Sequence, residues 1–305
     1  MESFLNGHKM RIIFIGSSKS SGHLLKHCFK LKFNIVGIVT KKKSWNNDFL
    51  DLSKIYRNSQ IPFIYWDKNI NKINTWAKKL KPDLFFCFGW SDIIKKKLLK
   101  IPKISTVGFH PTLLPLNRGR HPIIWSIFLG LKKTGSTFFE IKNEKIDSGP
   151  IISQKQIFLT KNDNATSLYK KILDVSKKQL PDIVRYFENK KKKRIQKKSK
   201  KISFWRKRDV NDEIIDWRMS SETIYRLIKS LQKPYNFSSF KFRNKIYRVE
   251  KAKVLKKDNN KSLVNFEPGK ILKVGKTFFD VKCGIGSIRI LKLKNRINLN
   301  KTFYL

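Results

Sequence analysis

The most apolar run in the chain is Leu84-Phe85-Phe86-Cys87-Phe88, entered through Pro82-Asp83 and closed by Gly89. It has the length of a buried strand and falls far short of the ~18–20 residues that a membrane span needs. Two runs of the same kind precede it, Arg11-Ile12-Ile13-Phe14-Ile15-Gly16 and Ile35-Val36-Gly37-Ile38-Val39-Thr40, and Ile61-Pro62-Phe63-Ile64-Tyr65 reads as a third strand. Helical spacing fills the intervals at Leu24–Leu31 and Ile70–Leu80. Strands alternating with helices imply an α/β domain with a parallel sheet and crossover helices. Hydrophobic residues make up 40% of the chain, enough for a real core, which excludes wholesale disorder. The turn after the first strand, Gly16-Ser17-Ser18-Lys19-Ser20-Ser21-Gly22, is not GxGxxG, and no acidic residue ends the second strand. A nicotinamide enzyme is therefore disfavoured.

A length of 305 residues suits two domains. Between Glu188 and Phe204 runs Asn189-Lys190-Lys191-Lys192-Lys193-Arg194-Ile195-Gln196-Lys197-Lys198-Ser199-Lys200-Lys201, a like-charge tract that packs poorly and reads as a solvated linker. Its functional alternative is a strip touching RNA phosphates. Beyond it, Ile214–Leu231 mixes a short strand with a helix capped by Ser220 or Ser221. Short alternating runs follow, such as Lys245-Ile246-Tyr247-Arg248-Val249 and Ser287-Ile288-Arg289-Ile290-Leu291, punctuated by Gly269, Gly275, Gly284 and Gly286. They predict a small β-barrel. The expected organisation is a domain over 10–188, a basic linker over 189–203 and a second domain over 204–305.

Lys+Arg 68 against Asp+Glu 22 gives a net charge of +46. The excess is mostly Lys spread along the whole chain, together with much Ile, Asn and Phe. That pattern reads as the composition of an AT-rich genome ahead of a dedicated polyanion site. Cys28, Cys87 and Cys283 lie far apart with no CxxC pair, so no metal site is expected and reduced thiols fit a cytosol. The first ten residues lack the apolar segment of a signal peptide, and Met10, directly before the first strand, is the expected start. The expectation is a soluble cytoplasmic protein with no membrane partner.

The segment that carries chemistry is Val107-Gly108-Phe109-His110-Pro111-Thr112-Leu113-Leu114-Pro115-Leu116-Asn117-Arg118-Gly119-Arg120-His121-Pro122, followed by Ile146-Asp147-Ser148-Gly149-Pro150 about 37 residues after His110. A His at a strand end and an Asp in a nearby loop lie where open α/β sheets place their active sites. Such a pair is a poised acid/base, with the ring fixed and its imidazolium stabilised. From pattern alone, a His before Pro and a Leu-Leu-Pro turn also read as packed structure.

This segment resembles the signature of the folate-dependent formyltransferases. It carries the ordered set His110, Leu113-Leu114-Pro115, Arg118-Gly119, Thr134-Gly135 and Asp147-Ser148-Gly149. Phe204-Trp205-Arg206-Lys207-Arg208 with Ile215-Asp216-Trp217 is similar to the start of the family's C-terminal domain, and Pro268–Ile271 and Cys283–Gly286 to its later strands. The resemblance implies a Rossmann-like parallel-sheet formyltransferase domain followed by a small OB-like barrel. It implies one-carbon transfer from 10-formyltetrahydrofolate to a primary amine, and it leaves room for a homodimer. By resemblance, His110 acts in proton transfer at the tetrahedral intermediate, and Asp147 sets its protonation and helps position the formyl group. The folate is expected against Phe88-Gly89-Trp90, the turn Thr112, Leu113, Leu114 and Pro115, and the loop residues Lys145 and Ile146.

The chain departs from the family at Gly108, where the family's Asn helps to bind the oxyanion, a donor typically worth ~3–4 kcal/mol of barrier. Asn117, a backbone N–H or protonated His110 are the candidate replacements. The form Arg118-Gly119-Arg120-x-Pro122-x-x-Trp125 looks like that of formyltransferases acting on nucleotide-linked amino sugars. Asn117, Arg118 and Arg120 are then the expected substrate-binding residues, with the arginines on a diphosphate. The alternative acceptor is initiator methionyl-tRNA, which suits the two-domain layout and the charge. A third reading is a basic RNA-binding protein on a catalytically impaired scaffold, suggested by Gly108 and the Lys tract.

Overall fold

The computed structural model describes residues 10–44, 48–56, 59–67, 69–189, 195–196, 202–255, 263, 265–299 and 303–305. Of the basic tract, Lys190–Arg194 and Lys197–Lys201 lie outside the described residues. The elements run β1 (Ile12–Ile15), α1 (Lys19–Lys30), β2 (Ile35–Thr40), α2 (Leu52–Ile55), β3 (Phe63–Tyr65), α3 (Ile70–Lys79), β4 (Leu84–Cys87), α4 (Lys96–Leu99), β5 (Ser105–His110), β6 (Arg118–Gly119), α5 (Pro122–Phe128), β7 (Lys133–Glu140), β8 (Ile151–Phe158), α6 (Ala165–Glu188) and β9 (Phe204–Trp205). A 3-10 turn (Asn211–Glu213), α7 (Ser221–Ser230), β10 (Ser238–Phe242), β11 (Lys245–Val254), β12 (Ile271–Val274), β13 (Phe279–Lys282) and β14 (Ser287–Leu293) complete the chain. Among the described residues no helix is long and apolar enough to cross a membrane.

Two compact units result. The first comprises Met1–Pro122, Lys133–Phe158 and Lys170–Trp205, and the second comprises Ile123–Lys132, Leu159–Tyr169 and Arg206–Leu305. In the first, a seven-stranded sheet has the order β3-β2-β1-β4-β5-β7-β8. Its first five strands are parallel, and β7 and β8 add antiparallel at one edge. β4 lies inside the sheet and is buried on both faces, which is why its sequence is continuously apolar. Phe85 and Cys87 join Ile13, Ile15, Val39 and the α3 residues Ile73 and Ala77 in one core. On alternate positions Phe86 and Phe88 stack at 5.0 Å, with Phe14 and Phe138 edge-on to Phe88.

The loop after β1 is filled by its own serines. Ser18 caps α1 by accepting from the Ser21 amide, and the Ser21 hydroxyl accepts from the Ser18 amide. That hydroxyl also donates to the carbonyl of Phe88 at 2.6 Å, joining the ends of β1 and β4. The turn that carries a dinucleotide's phosphates in other α/β proteins therefore serves here to fix the sheet's carboxyl edge.

In the second unit a five-stranded antiparallel sheet, ordered β10-β11-β14-β13-β12, forms the small barrel-like C-terminal domain. Helix α7, capped by Ser220, buries Ile224, Leu227 and Ile228 against Phe240, Val249, Val281, Ile288 and Ile290. Ile124 belongs to the same core, and the Arg226 guanidinium donates to the carbonyl of Phe128. These contacts bring residues 123–132 into this unit, whereas Phe204 and Trp205 pair with β6 in the first. Removing the buried Ser21 hydroxyl by Ser21→Ala deletes half of the capping box and leaves the Phe88 carbonyl unpaired. A loss of about 1–3 kcal/mol is expected in urea unfolding.

Candidate active site

Strand β5 ends at His110, beside the carboxyl end of β4. Its imidazole is buried between two acceptors. Nε2 lies 2.8 Å from the carbonyl oxygen of Asn117, and Nδ1 lies 3.5 Å from Oδ2 of Asp147. The ring donates through Nε2 to the Asn117 carbonyl, and Nδ1 faces the carboxylate at ion-pair distance. The same Asp147 oxygen accepts from the Gly119 amide at 3.0 Å, which fixes its position beside His110.

The two anchors belong to loops in unusual conformations. Asn117 (φ 60) and Asp147 (φ 48) are both left-handed, and Gly119 (φ 101) passes so close to Trp205 that a Cβ there would lie 2.4 Å from its carbonyl oxygen. The 117–120 loop is held by a short parallel pairing of β6 with β9 and by bonds from the Arg118 amide to the Ser203 carbonyl and from the Arg120 amide to the Trp205 carbonyl. The Asp147 loop is held by Gln196, whose Nε2 donates to the carbonyls of Asp147 (3.0 Å) and Gly149 (2.8 Å).

His110 and Asp147 open onto a cavity of about 180 Å³ within the first unit. Its walls are Cys87 and the Trp90–Ile94 segment after β4, Gly108 and Phe109 of β5, Gly119 and Arg120, Phe139 and Ile141, and the Asn143–Asp147 loop. Burial first, then the Asp147 and Asp92 carboxylates, push the Cys87 thiol up, so this cavity-lining sulfur stays protonated. Trp90 presents a buried indole Nε1 with no partner among the described residues, its ring flanked by Trp66 at 5.4 Å and by the Lys41 ammonium at 4.9 Å. Among the described residues no group of three or more His, Cys, Asp and Glu side chains is placed to hold a metal.

Of the residues singled out from the sequence, the structure brings Trp90, Gly108, His110, Arg120, Lys145, Ile146 and Asp147 to this cavity. The others lie behind it. Phe88 is fully buried in the ring stack, and Gly89 is packed against the hydroxyls of Ser18, Ser20 and Ser21. Thr112 donates to the Leu116 carbonyl, and Leu113 packs on Gly135. Leu114, joined to Pro115 by a cis peptide, lies in a core with Phe139 and Ile151 and accepts from Gln154. The Leu-Leu-Pro turn is thus a packed brace under the site.

Asn117 contributes its backbone. Its carbonyl holds His110, while its side-chain oxygen accepts from the Ser203 hydroxyl. Arg118 is buried and turned to Gln196 Oε1 at 2.6 Å, with Nε unpartnered among the described residues. Burial draws its guanidinium pKa down, and the Asp147 charge opposes that. Arg120, two residues on, reaches the cavity and donates to the Ser91 carbonyl at 2.7 Å.

Three contributors escaped the sequence reading. Gln196 is the lone amide inside a run of cations, Ser203 sits just beyond that run, and Phe139 is 31 positions from Gly108. Phe139 faces Gly108 across the β5–β7 pairing, and a Cβ at 108 would lie 2.7 Å from its ring. The ring fills the space that an Asn side chain would need.

An open α/β sheet with a buried His–Asp pair beside a cavity at its carboxyl edge is the architecture of a group-transfer enzyme. The formyl transferase model matches residues 10–184, and the formyl transferase C-terminal domain model matches residues 207–302. The chain belongs to the formyl transferase family. It is 32% identical over 283 residues to a methionyl-tRNA formyltransferase of Prochlorococcus marinus, covering 86% of this chain and 85% of that one. It is 34% identical over 215 residues to the bifunctional polymyxin resistance protein ArnA of Wigglesworthia glossinidia brevipalpis, covering 68% of this chain but 32% of that protein's length. The N-formyltransferase from Helicobacter canadensis, solved with folinic acid and dTDP-3-aminofucose, superposes with a TM-score of 0.66 at 20% identity, covering 93% of this chain and 99% of that one.

The packing at Gly108 makes a prediction. Gly108→Asn, which restores the family residue, forces an extra side chain against a buried ring. Overpacking of this kind costs about 1–3 kcal/mol in thermal or urea unfolding. Combining it with Phe139→Ala should recover part of that loss.

Proposed function

We propose that the enzyme transfers a formyl group from 10-formyltetrahydrofolate to the primary amine of a nucleotide-linked amino sugar, with His110 and Asp147 as its acid/base pair. The observation that carries this reading is the clamped imidazole at the wall of the cavity, with Nδ1 facing a carboxylate. The cavity residues fit a heterocyclic donor. Trp90 lines the cavity with an indole whose buried N–H has no partner among the described residues, and Ile94, Phe109 and Ile141 supply an apolar wall. Bound there, the folate supplies a formyl carbonyl carried on nitrogen.

The chain supplies proton movement and orientation. Nε2 of His110 is committed to the Asn117 carbonyl, so Nδ1 is the atom that takes a proton from the attacking amine and returns it to the leaving nitrogen. The 3.5 Å separation from Asp147 is longer than a strong hydrogen bond, which leaves that proton shareable while the carboxylate stabilises the imidazolium. With the Phe139 ring over Gly108, no side chain stands at that position to donate, and charge on the formyl oxygen is met by the His110 imidazolium formed when Nδ1 takes the amine's proton.

Arg120 supports the sugar-nucleotide acceptor. It spends one N–H on Ser91, and the rest of its five-donor fork is suited to a diphosphate at the cavity mouth. The second reading, transfer to initiator methionyl-tRNA, is favoured by the 32% identity to the Prochlorococcus enzyme over 86% of the chain and by the +46 charge.

Offering nucleotide-linked amino sugars and methionine-charged initiator tRNA in parallel, with 10-formyltetrahydrofolate, tests the acceptor. Turnover is expected on a sugar, and turnover on charged tRNA alone overturns that assignment. His110→Ala should lower kcat by ~10²–10⁴-fold. An active His110→Ala enzyme would sink the acid/base assignment. Arg120→Ala should raise the KM for the acceptor by about tenfold, the worth of one charge-assisted hydrogen bond, and leave the KM for the donor unchanged.

A further inference from the structure

We infer that Gln196, within the basic tract, and Ser203, just beyond it, are positioning residues for His110 and Asp147. This rests on the reading of those two as the acid/base pair. The Asp147 backbone is left-handed, and its carbonyl and that of Gly149 are both held by the Gln196 Nε2. The Gln196 Oε1 in turn accepts from the buried Arg118. The amide therefore uses both ends, and it spans from the Asp147 loop to the loop whose Gly119 amide aims the Asp147 carboxylate.

Ser203 performs the matching task for His110. Its hydroxyl accepts from the Asn117 amide at 2.8 Å and donates to the Asn117 side-chain oxygen at 2.9 Å. Its carbonyl accepts from the Arg118 amide. These bonds hold Asn117 in its left-handed conformation, and the carbonyl so oriented is the one that receives the His110 Nε2 proton. Neither Gln196 nor Ser203 lines the cavity, so each acts through the residue it holds.

Gln196→Ala, Gln196→Asn (the same amide, too short to bridge), Ser203→Ala and Ser203→Thr in the full chain test this. Steady-state kinetics, pH–rate profiles, thermal unfolding and titration with 5-formyltetrahydrofolate are the readouts. The two alanine variants and Gln196→Asn are expected to lose tenfold or more in kcat and to shift the pH–rate profile. Their KM values and folate affinity should stay within about twofold, and Ser203→Thr should recover most of the activity. In an Asp147→Asn background, Gln196→Ala should cost less than threefold, because the group it positions is already lost. Wild-type kcat and pH profile in Gln196→Ala and Ser203→Ala overturn the inference. So do penalties that multiply with Asp147→Asn, or losses that only track a fall in melting temperature. Full activity in His110→Ala instead overturns the underlying assignment of the acid/base pair.

Discussion

Everything at the site depends on one imidazole being held at both nitrogens. The Asn117 carbonyl fixes Nε2, and Asp147 faces Nδ1. Both anchors sit in the left-handed region, which Asn and Asp tolerate better than other non-glycine residues. Such conformations persist when surrounding bonds over-determine them. Here the surrounding bonds come from far along the chain. The Gly119 amide, the β6–β9 pairing, the Ser203 hydroxyl and the Gln196 amide tie residues 117–120 and 147–149 to residues 196–205. Reaction geometry and chain topology are therefore the same problem in this molecule.

The antiparallel addition of β7 to the parallel sheet has a chemical consequence. It pairs Gly108 with Phe139, and the Phe139 ring packs with Leu114 and Ile151 above a glycine that has no side chain to displace it. A ring in this place supplies apolar packing where the family's Asn would supply a hydrogen-bond donor. The trade favours packing of the β5–β7 edge over a polar group beside His110. Leu113-Leu114-Pro115 serves the same packing, which explains why so apolar a turn follows directly on a polar strand end.

Local periodicity was enough to read β1, β2, β4 and α3, because each buries a pattern set by its own neighbours. The start of α7 was equally plain, although its cap is Ser220 alone. Strands β7 and β8 were not legible: Lys133–Glu140 mixes Lys, Thr, Ser and Phe, and Ile151–Phe158 carries Gln and Lys, so neither alternates cleanly. At the site, His110 and Asp147 could be found from residue type and spacing. Phe139 could not, because its effect on Gly108 arises from a cross-strand register. Gln196 could not either, since the charges around it mark the segment as solvated while its own amide is directed inward. Arg118 and Arg120 look alike in sequence, and the positive-φ turn at Gly119 between them goes with one reaching Gln196 and the other the cavity.

That separation of the two arginines bears on how the net charge should be weighed. The cavity is lined by the carboxylates Asp92, Glu144 and Asp147 against the cations Arg120 and Lys145, apart from His110. A chain with 68 basic and 22 acidic residues thus places more acid than base around its candidate reaction centre. A diffuse excess of Lys raises the potential over a whole surface and speeds encounter with any anion, but it does not orient one. A guanidinium has a planar fork of fixed geometry, and Arg120 is anchored to the Ser91 carbonyl at the cavity wall. The Arg118-Gly119-Arg120 loop adds what bulk charge does not, since it buries one guanidinium against Gln196 and turns the other, already anchored, into the cavity that His110 lines.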